Sequence, residues 1–156
     1  MKKVKIACDI CNTLADVNGE LEKRGFVREE GTYFIEGLGA DYFTNNLDVF
    51  ENATPFEGAA ERLRAFVKNG FEIVYLTARP KKAKKVTREW LKKNGFPKGK
   101  IVFSNNKPED FKRLHCTYAI DDAPHEIKNY QVNNIKVLIH LRDYNLSFGD
   151  GFSWNF

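Results

Sequence analysis

Five short apolar runs, each too brief for a helix, recur along this 156-residue chain and alternate with stretches of helical spacing. The runs cover residues 3–9, 71–76, 101–103, 118–121 and 135–140. Between the first two, Ala59, Ala60, Leu63, Phe66 and Val67 fall at helical spacing, with Pro55 ahead of them and Gly70 at the stop position. Val86, Trp90 and Leu91 share one face of a lysine-rich helix over about 81–94, ended by Gly95. Pro108 opens a brief helix carrying Phe111 and Leu114, and another helix is expected near 124–130. Strands alternating with helices imply βαβ units, a parallel sheet and right-handed crossovers.

One stretch breaks this rhythm. Residues 16–55 separate the first strand from the first crossover helix, which is longer than a plain loop should be. Seven aromatics lie between Phe26 and Phe56, with a turn signal at Gly31-Thr32. The stretch reads as a cap inserted into a single domain spanning 1–156, with some packing of its own. Phe152, Trp154 and Phe156 in the tail are expected to dock on the core.

The net charge of +4 hides an asymmetry. Residues 16–57 carry ten acids against Lys23, Arg24 and Arg28. Residues 79–100 carry eight lysines, Arg79 and Arg88 against Glu89 alone. A basic block of this kind is either a solvated helix face or a seat for an anionic ligand or nucleic acid. Three cysteines are too few and too odd for a disulfide framework, and no apolar run is long enough to span a bilayer. A cytoplasmic chain without a membrane partner is the expectation. The start, MKKVKIACDI, reads as the first strand and not as a signal peptide.

In open α/β sheets, ligands bind beyond the carboxyl ends of the strands. The residues expected there are Asp9, then Thr77 with Arg79, then the 104–107 loop with Lys107, then Asp121 and Asp122. Oxygen-rich carboxylate clusters suit Mg²⁺, and cationic side chains suit phosphate oxygens. Plainer readings exist for each. Asp9 can cap a helix, an Asp pair before Ala-Pro opens turns, and Thr77 can be an ordinary strand-end residue. Lys107 competes with Lys100, Lys112 and the Lys81–Lys85 run, and Arg79 either grips phosphate or caps its strand.

The motifs at these positions resemble those of the haloacid dehalogenase (HAD) superfamily. IACDICNTLADV resembles its first motif, a strand ending in Asp-x-Asp-x-Thr/Val, and IVYLTARP its second. Lys107 falls where the third-motif lysine lies, and YAIDDAP resembles the acidic fourth motif. The motif style is most similar to the nucleotidase and polynucleotide-phosphatase branches. The resemblance implies an α/β, Rossmann-like three-layer fold with about five parallel strands and a small cap after the first. It also implies Asp9 as nucleophile, forming an aspartyl-phosphate. Asp9, the backbone carbonyl of Cys11, Asp121 and Asp122 would hold Mg²⁺, while Thr77, Arg79 and Lys107 would bind the phosphoryl group.

Cys11 departs from the pattern, because these phosphatases place a second Asp there to protonate the leaving oxygen and later activate water. General acid–base help of that sort is worth roughly 10²- to 10⁴-fold. Cys8 and Cys11 also spell C-x-x-C, but Cys8 lies inside a strand beside Asp9, which disfavours a redox thiolate. The leading expectation is a Mg²⁺-dependent phosphomonoesterase on a small phosphorylated metabolite such as a nucleotide. The alternatives are a catalytically weak domain that binds Mg²⁺ and a phosphorylated ligand, and a polynucleotide end phosphatase, which the acidic cap disfavours.

Overall fold

The computed structural model describes residues 2–154. Its first half runs β1 (Lys5–Cys8), β2 (Ala15–Asp16), α1 (Val17–Lys23), α2 (Ala40–Asn45), α3 (Asp48–Asn52), β3 (Thr54–Pro55), α4 (Ala59–Lys68) and β4 (Glu72–Thr77). The second half runs α5 (Lys84–Lys93), β5 (Lys100–Phe103), α6 (Lys107–Arg113), β6 (Tyr118–Asp121), α7 (Pro124–Val132) and β7 (Val137–Ile139).

Five strands form one parallel sheet in the order β5-β4-β1-β6-β7. Alternation along each strand explains why both faces are covered. Ile6, Cys8, Ile73, Tyr75 and Ile120 point into one apolar cluster. Ala7, Val74, Leu76 and Ala119 point into the other, where Phe111, Leu114 and Tyr130 meet them. Helices on both faces make three layers. The order of connection reverses at β1, which pairs with β4 on one side and β6 on the other. That reversal opens a crevice beyond the carboxyl ends of β1 and β6.

The crossover elements follow their sequence signals. Gly58 precedes α4 at φ +85°, and a Cβ there would meet the Trp154 carbonyl at 2.7 Å, so glycine is required on both counts. The lysine-rich segment begins as a tight 3₁₀ turn over Lys81–Ala83 and becomes α-helical only at Lys84. No side chain caps either start, and a tightened first turn is a common way to begin in that case.

Residues 16–55 leave and re-enter through a two-residue antiparallel ladder, Ala15 opposite Pro55 and Asp16 opposite Thr54. Asp16 turns the chain into α1 by accepting from the Gly19 N–H at 2.9 Å. The segment has ring pairs of its own, Phe26 with Tyr42 and Phe43 with Phe50. Its buried residues Val17, Leu21, Ile35, Val49 and Phe50 nevertheless join the same cluster as Ile6 and Tyr75. It is therefore seated on the sheet's core. Trp90 on α5 fastens it further, donating from its indole to the Ala53 carbonyl at 2.8 Å.

Of the tail residues expected to dock, Trp154 is buried and donates to the Thr13 carbonyl at 2.7 Å, and Phe152 is half-buried. Phe156 lies outside the described residues. Among the described residues, no helix is long and apolar enough to cross a membrane.

Candidate active site

Asp9 follows β1 directly, and its N–H donates to the Ile120 carbonyl of β6 at 2.9 Å, which locks the two strand ends together. The chain then turns tightly: Ala15 and Leu14 both donate to the Ile10 carbonyl, and Asn12 adopts φ +61°. Asn tolerates that left-handed conformation better than most residues. The Asn12 side chain accepts from the Asn18 N–H at 2.9 Å, so the turn and α1 hold each other.

At the end of β6, Asp121 and Asp122 are fully buried, and Asp9 is 6% exposed. The three carboxylates offer oxygens that all lie within 4.8 Å of one another. Lys107 opens α6, whose start Asn106 caps by accepting from the Glu109 N–H. That placement turns the lysine inward. Its Nζ lies 3.0 Å from Asp9, 2.8 Å from Asp121 and 3.3 Å from Glu126. Lys107 is 3% exposed, whereas Lys100, Lys112, Lys81, Lys82, Lys84 and Lys85 are all exposed. Burial alone would lower the ammonium's pKa, but Asp121 and Asp9 together hold it well above the ordinary range.

The carboxylates are fixed individually. Asp121 accepts from the backbone N–H groups of Asp122 and Ala123 at 2.8 and 3.1 Å. The Thr13 hydroxyl lies 2.9 Å from Asp122 and 3.3 Å from Asp9, sharing one hydrogen between two acids. Tyr144 donates a short hydrogen bond to the other Asp122 oxygen. Asn145 donates to the Asp122 and His140 carbonyls, both at 2.9 Å. Burial, then the neighbouring acids, push Asp121 up to about 6 and raise Asp122 well above the carboxylate range. The cluster holds more negative charge than Lys107 balances.

Thr77 ends β4 fully buried, and its hydroxyl accepts from the Arg79 N–H at 3.2 Å. Arg79 is the one buried basic residue of the block 79–100; its eight lysines and Arg88 are exposed. Its Nε lies 3.1 Å from the Cys11 sulfur, its Nη1 donates to Thr87 at 2.9 Å, and the guanidinium stacks 4.1 Å above the Phe50 ring. Burial pushes the Cys11 thiol up, against the pull of Arg79. A cavity of about 330 Å³ rises from Asp9 and Lys107 to the inserted segment, walled by Tyr33, Phe34, Phe43 and Phe50. All seven residues singled out from sequence thus sit around one crevice. The supporting set of Thr13, Glu126, Tyr144 and Asn145 was not foreseen. Thr13 stands in the first motif itself, whereas Tyr144 and Asn145 come from a tail with no periodic signal.

The fold has counterparts among known structures, and the sequence among curated proteins. A D,D-heptose 1,7-bisphosphate phosphatase from Burkholderia thailandensis superposes with a TM-score of 0.62 at 9% identity, over 97% of this chain and 88% of its own. A "Putative nucleotidase" from Bacillus cereus is 27% identical over 146 residues, 90% of this chain and 74% of that protein. A "Putative nucleotidase" from Oceanobacillus iheyensis is 34% identical over 101 residues, 62% of this chain and 54% of that protein. This chain thus spans between about half and three quarters of these curated relatives.

The three-layer parallel fold is shared with that phosphatase, and the strand-end motifs are the ones that carry the resemblance to the haloacid dehalogenase class. Residues 40–147 match the family described as PITM 1-3, LNS2 domain, and the chain belongs to that family.

Proposed function

We propose that this chain is a Mg²⁺-dependent phosphomonoester hydrolase of nucleotidase type that works through an aspartyl-phosphate on Asp9. The observation that carries the reading is the convergence of three buried carboxylates on Lys107 at the crevice where the sheet order reverses. An all-oxygen donor set with surplus buried negative charge fits a small hard cation. Asp9, Asp121, Asp122 and the Cys11 carbonyl are the proposed holders. A bound Mg²⁺ supplies neutralisation between an anionic nucleophile and an anionic ester.

In this reading an Asp9 oxygen forms the bond to phosphorus as the ester's P–O bond breaks, and water later cleaves the acyl phosphate. Lys107 holds Asp9 in place and balances the transferred group, with Thr77 as a further phosphate-side donor and Arg79 at the cavity's edge of the ester. Residues 16–55 act as the cap, and the cavity beneath them suits a small metabolite such as a nucleotide. Because Cys11 supplies no carboxylic acid, activated aryl esters turn over faster than alkyl esters. A domain that binds Mg²⁺ and a phosphorylated ligand with little turnover is the second reading, and Cys11 is the observation that favours it.

A phosphate-ester panel assayed with and without Mg²⁺ tests the choice. Turnover that needs Mg²⁺ and falls at least about 10³-fold in Asp9→Asn, with the fold retained, is expected. Full activity in Asp9→Asn removes the nucleophile assignment. Mg²⁺ binding without turnover of any ester selects the second reading.

A further inference from the structure

Arg79 has one hydrogen-bonding edge left over. Nε and Nη1 are occupied by Cys11 and Thr87, and Phe50 fixes the plane of the group. Nη2 is buried and has no hydrogen-bond partner among the described residues, although the side chain is only 5% exposed and lines the cavity above Asp9. A buried donor without an acceptor costs roughly 1–3 kcal/mol, so the unpaired nitrogen of a guanidinium held in place on its other two is a donor that an oxygen in the cavity can satisfy. Among the described residues no carboxylate pairs with it, in contrast to Lys107, which faces three.

We propose that Arg79 is a catalytic residue that stabilises the charge developing on the ester's leaving oxygen. The proposal rests on the phosphatase reading above. In an in-line displacement at phosphorus, the leaving oxygen departs opposite the attacking Asp9 oxygen and so lies on the cavity side, where the alcohol portion must fit. Arg79 lines that side of the cavity, with its Nε 3.1 Å from the Cys11 sulfur. As the P–O bond breaks, its electron pair stays on the leaving oxygen, and the Nη2–H donates a hydrogen bond to it. Guanidinium groups do not give up protons, so the proton that completes the alcohol comes from water. A preorganised donor aimed at developing charge in a buried site lowers the barrier without reorganising.

Leaving-group dependence tests the proposal. The rates of the wild type, Arg79→Gln and Arg79→Lys are compared over aryl and alkyl phosphates with leaving-group pKa values spanning several units. Loss of one such donor costs on the order of 10²- to 10³-fold where the charge is largest. Arg79→Gln is therefore expected to lose about that much on alkyl esters and far less on p-nitrophenyl phosphate, which steepens the plot of log kcat/KM against leaving-group pKa. Arg79→Lys keeps charge and stem, so an intermediate slope is expected from it even where the Gln variant folds poorly. An equal loss on every ester overturns the proposal and assigns Arg79 to the non-bridging phosphoryl oxygens. Absence of turnover in the wild type with every ester overturns it together with the phosphatase reading.

Discussion

The floor and the roof of the cavity are built on opposite principles. In the floor, Asp9, Asp121, Asp122 and Lys107 are buried charges, and each is held by named hydrogen bonds from strand ends and helix starts. The roof, contributed by residues 16–55, holds its position by apolar packing and ring contacts, and most of its acids face solvent. Val27 and Phe34 there are 82% and 74% exposed. In the proposed function the difference separates two jobs: directional bonds fix the atoms assigned to the reaction to a fraction of an ångström, while packing shapes a space that can accept varied ligands. Arg28 bridges the two, pairing with Asp143 at 3.0 Å just before Tyr144.

The sharpest way to break the roof is Phe50→Ala. Phe50 is 2% exposed and supports both the core and the Arg79 plane. Its loss is expected to destabilise the protein by about 3–5 kcal/mol in urea unfolding, whereas Phe34→Ala, on the open rim, should stay within about 0.5 kcal/mol. Equal effects from the two would mean that the roof has no packed root.

A pH series probes the floor's back wall. His140 follows β7, its Nδ1 lies 3.0 Å from the Asn12 carbonyl, and Phe56 and Trp154 pack against its ring. Burial pushes its pKa down to about 4, partly offset by that carbonyl. An unfolded histidine titrates near 6.5, so between those values the unfolded chain takes up a proton that the folded chain refuses. The contribution is fully present above about pH 6.5 and is lost as pH falls toward 4, by about 2–3 kcal/mol. His140→Gln should flatten the stability profile between pH 7 and 4.5, and an unchanged slope would assign the loss to other groups.

A smaller effect is expected at the front of the floor. Tyr144→Phe deletes the hydroxyl bonded to Asp122 while keeping the ring beside Tyr33. Outer partners of metal-holding carboxylates are worth roughly 10- to 100-fold in affinity, so Mg²⁺ titration should weaken by about that factor. Unchanged affinity would show that Thr13 alone positions Asp122.

The floor could be read from sequence because its residues mark where strands stop. A run such as YAIDD ends in the same place whether or not the helices are known, and strand ends in an open sheet converge. Lys107 was harder, since a lysine-rich chain offers many rivals and only the Asn106 cap decides which one turns inward. The roof was readable only as an interruption. Its rings could have formed a separate core, and nothing in their spacing says that Val49 and Phe50 share one with Ile6 and Tyr75. Arg79 could be named from its place after β4 but its burial could not, because every other basic residue of the block is exposed and that burial depends on contacts with Cys11, Phe50 and Thr87.

The ladder between Ala15–Asp16 and Thr54–Pro55 also bears on how such a chain can diverge. Departure and return share one doorway, so a change in length between α1 and α2 leaves the strand ends where they are. Closing a longer loop there is cheap, since doubling its length costs only about 0.6 kcal/mol. Residues 24–39 hold no helix or strand, so a change of length at their exposed turns alters no strand pairing. A lineage carrying this doorway can revise what enters the cavity while the acids beneath it stay untouched.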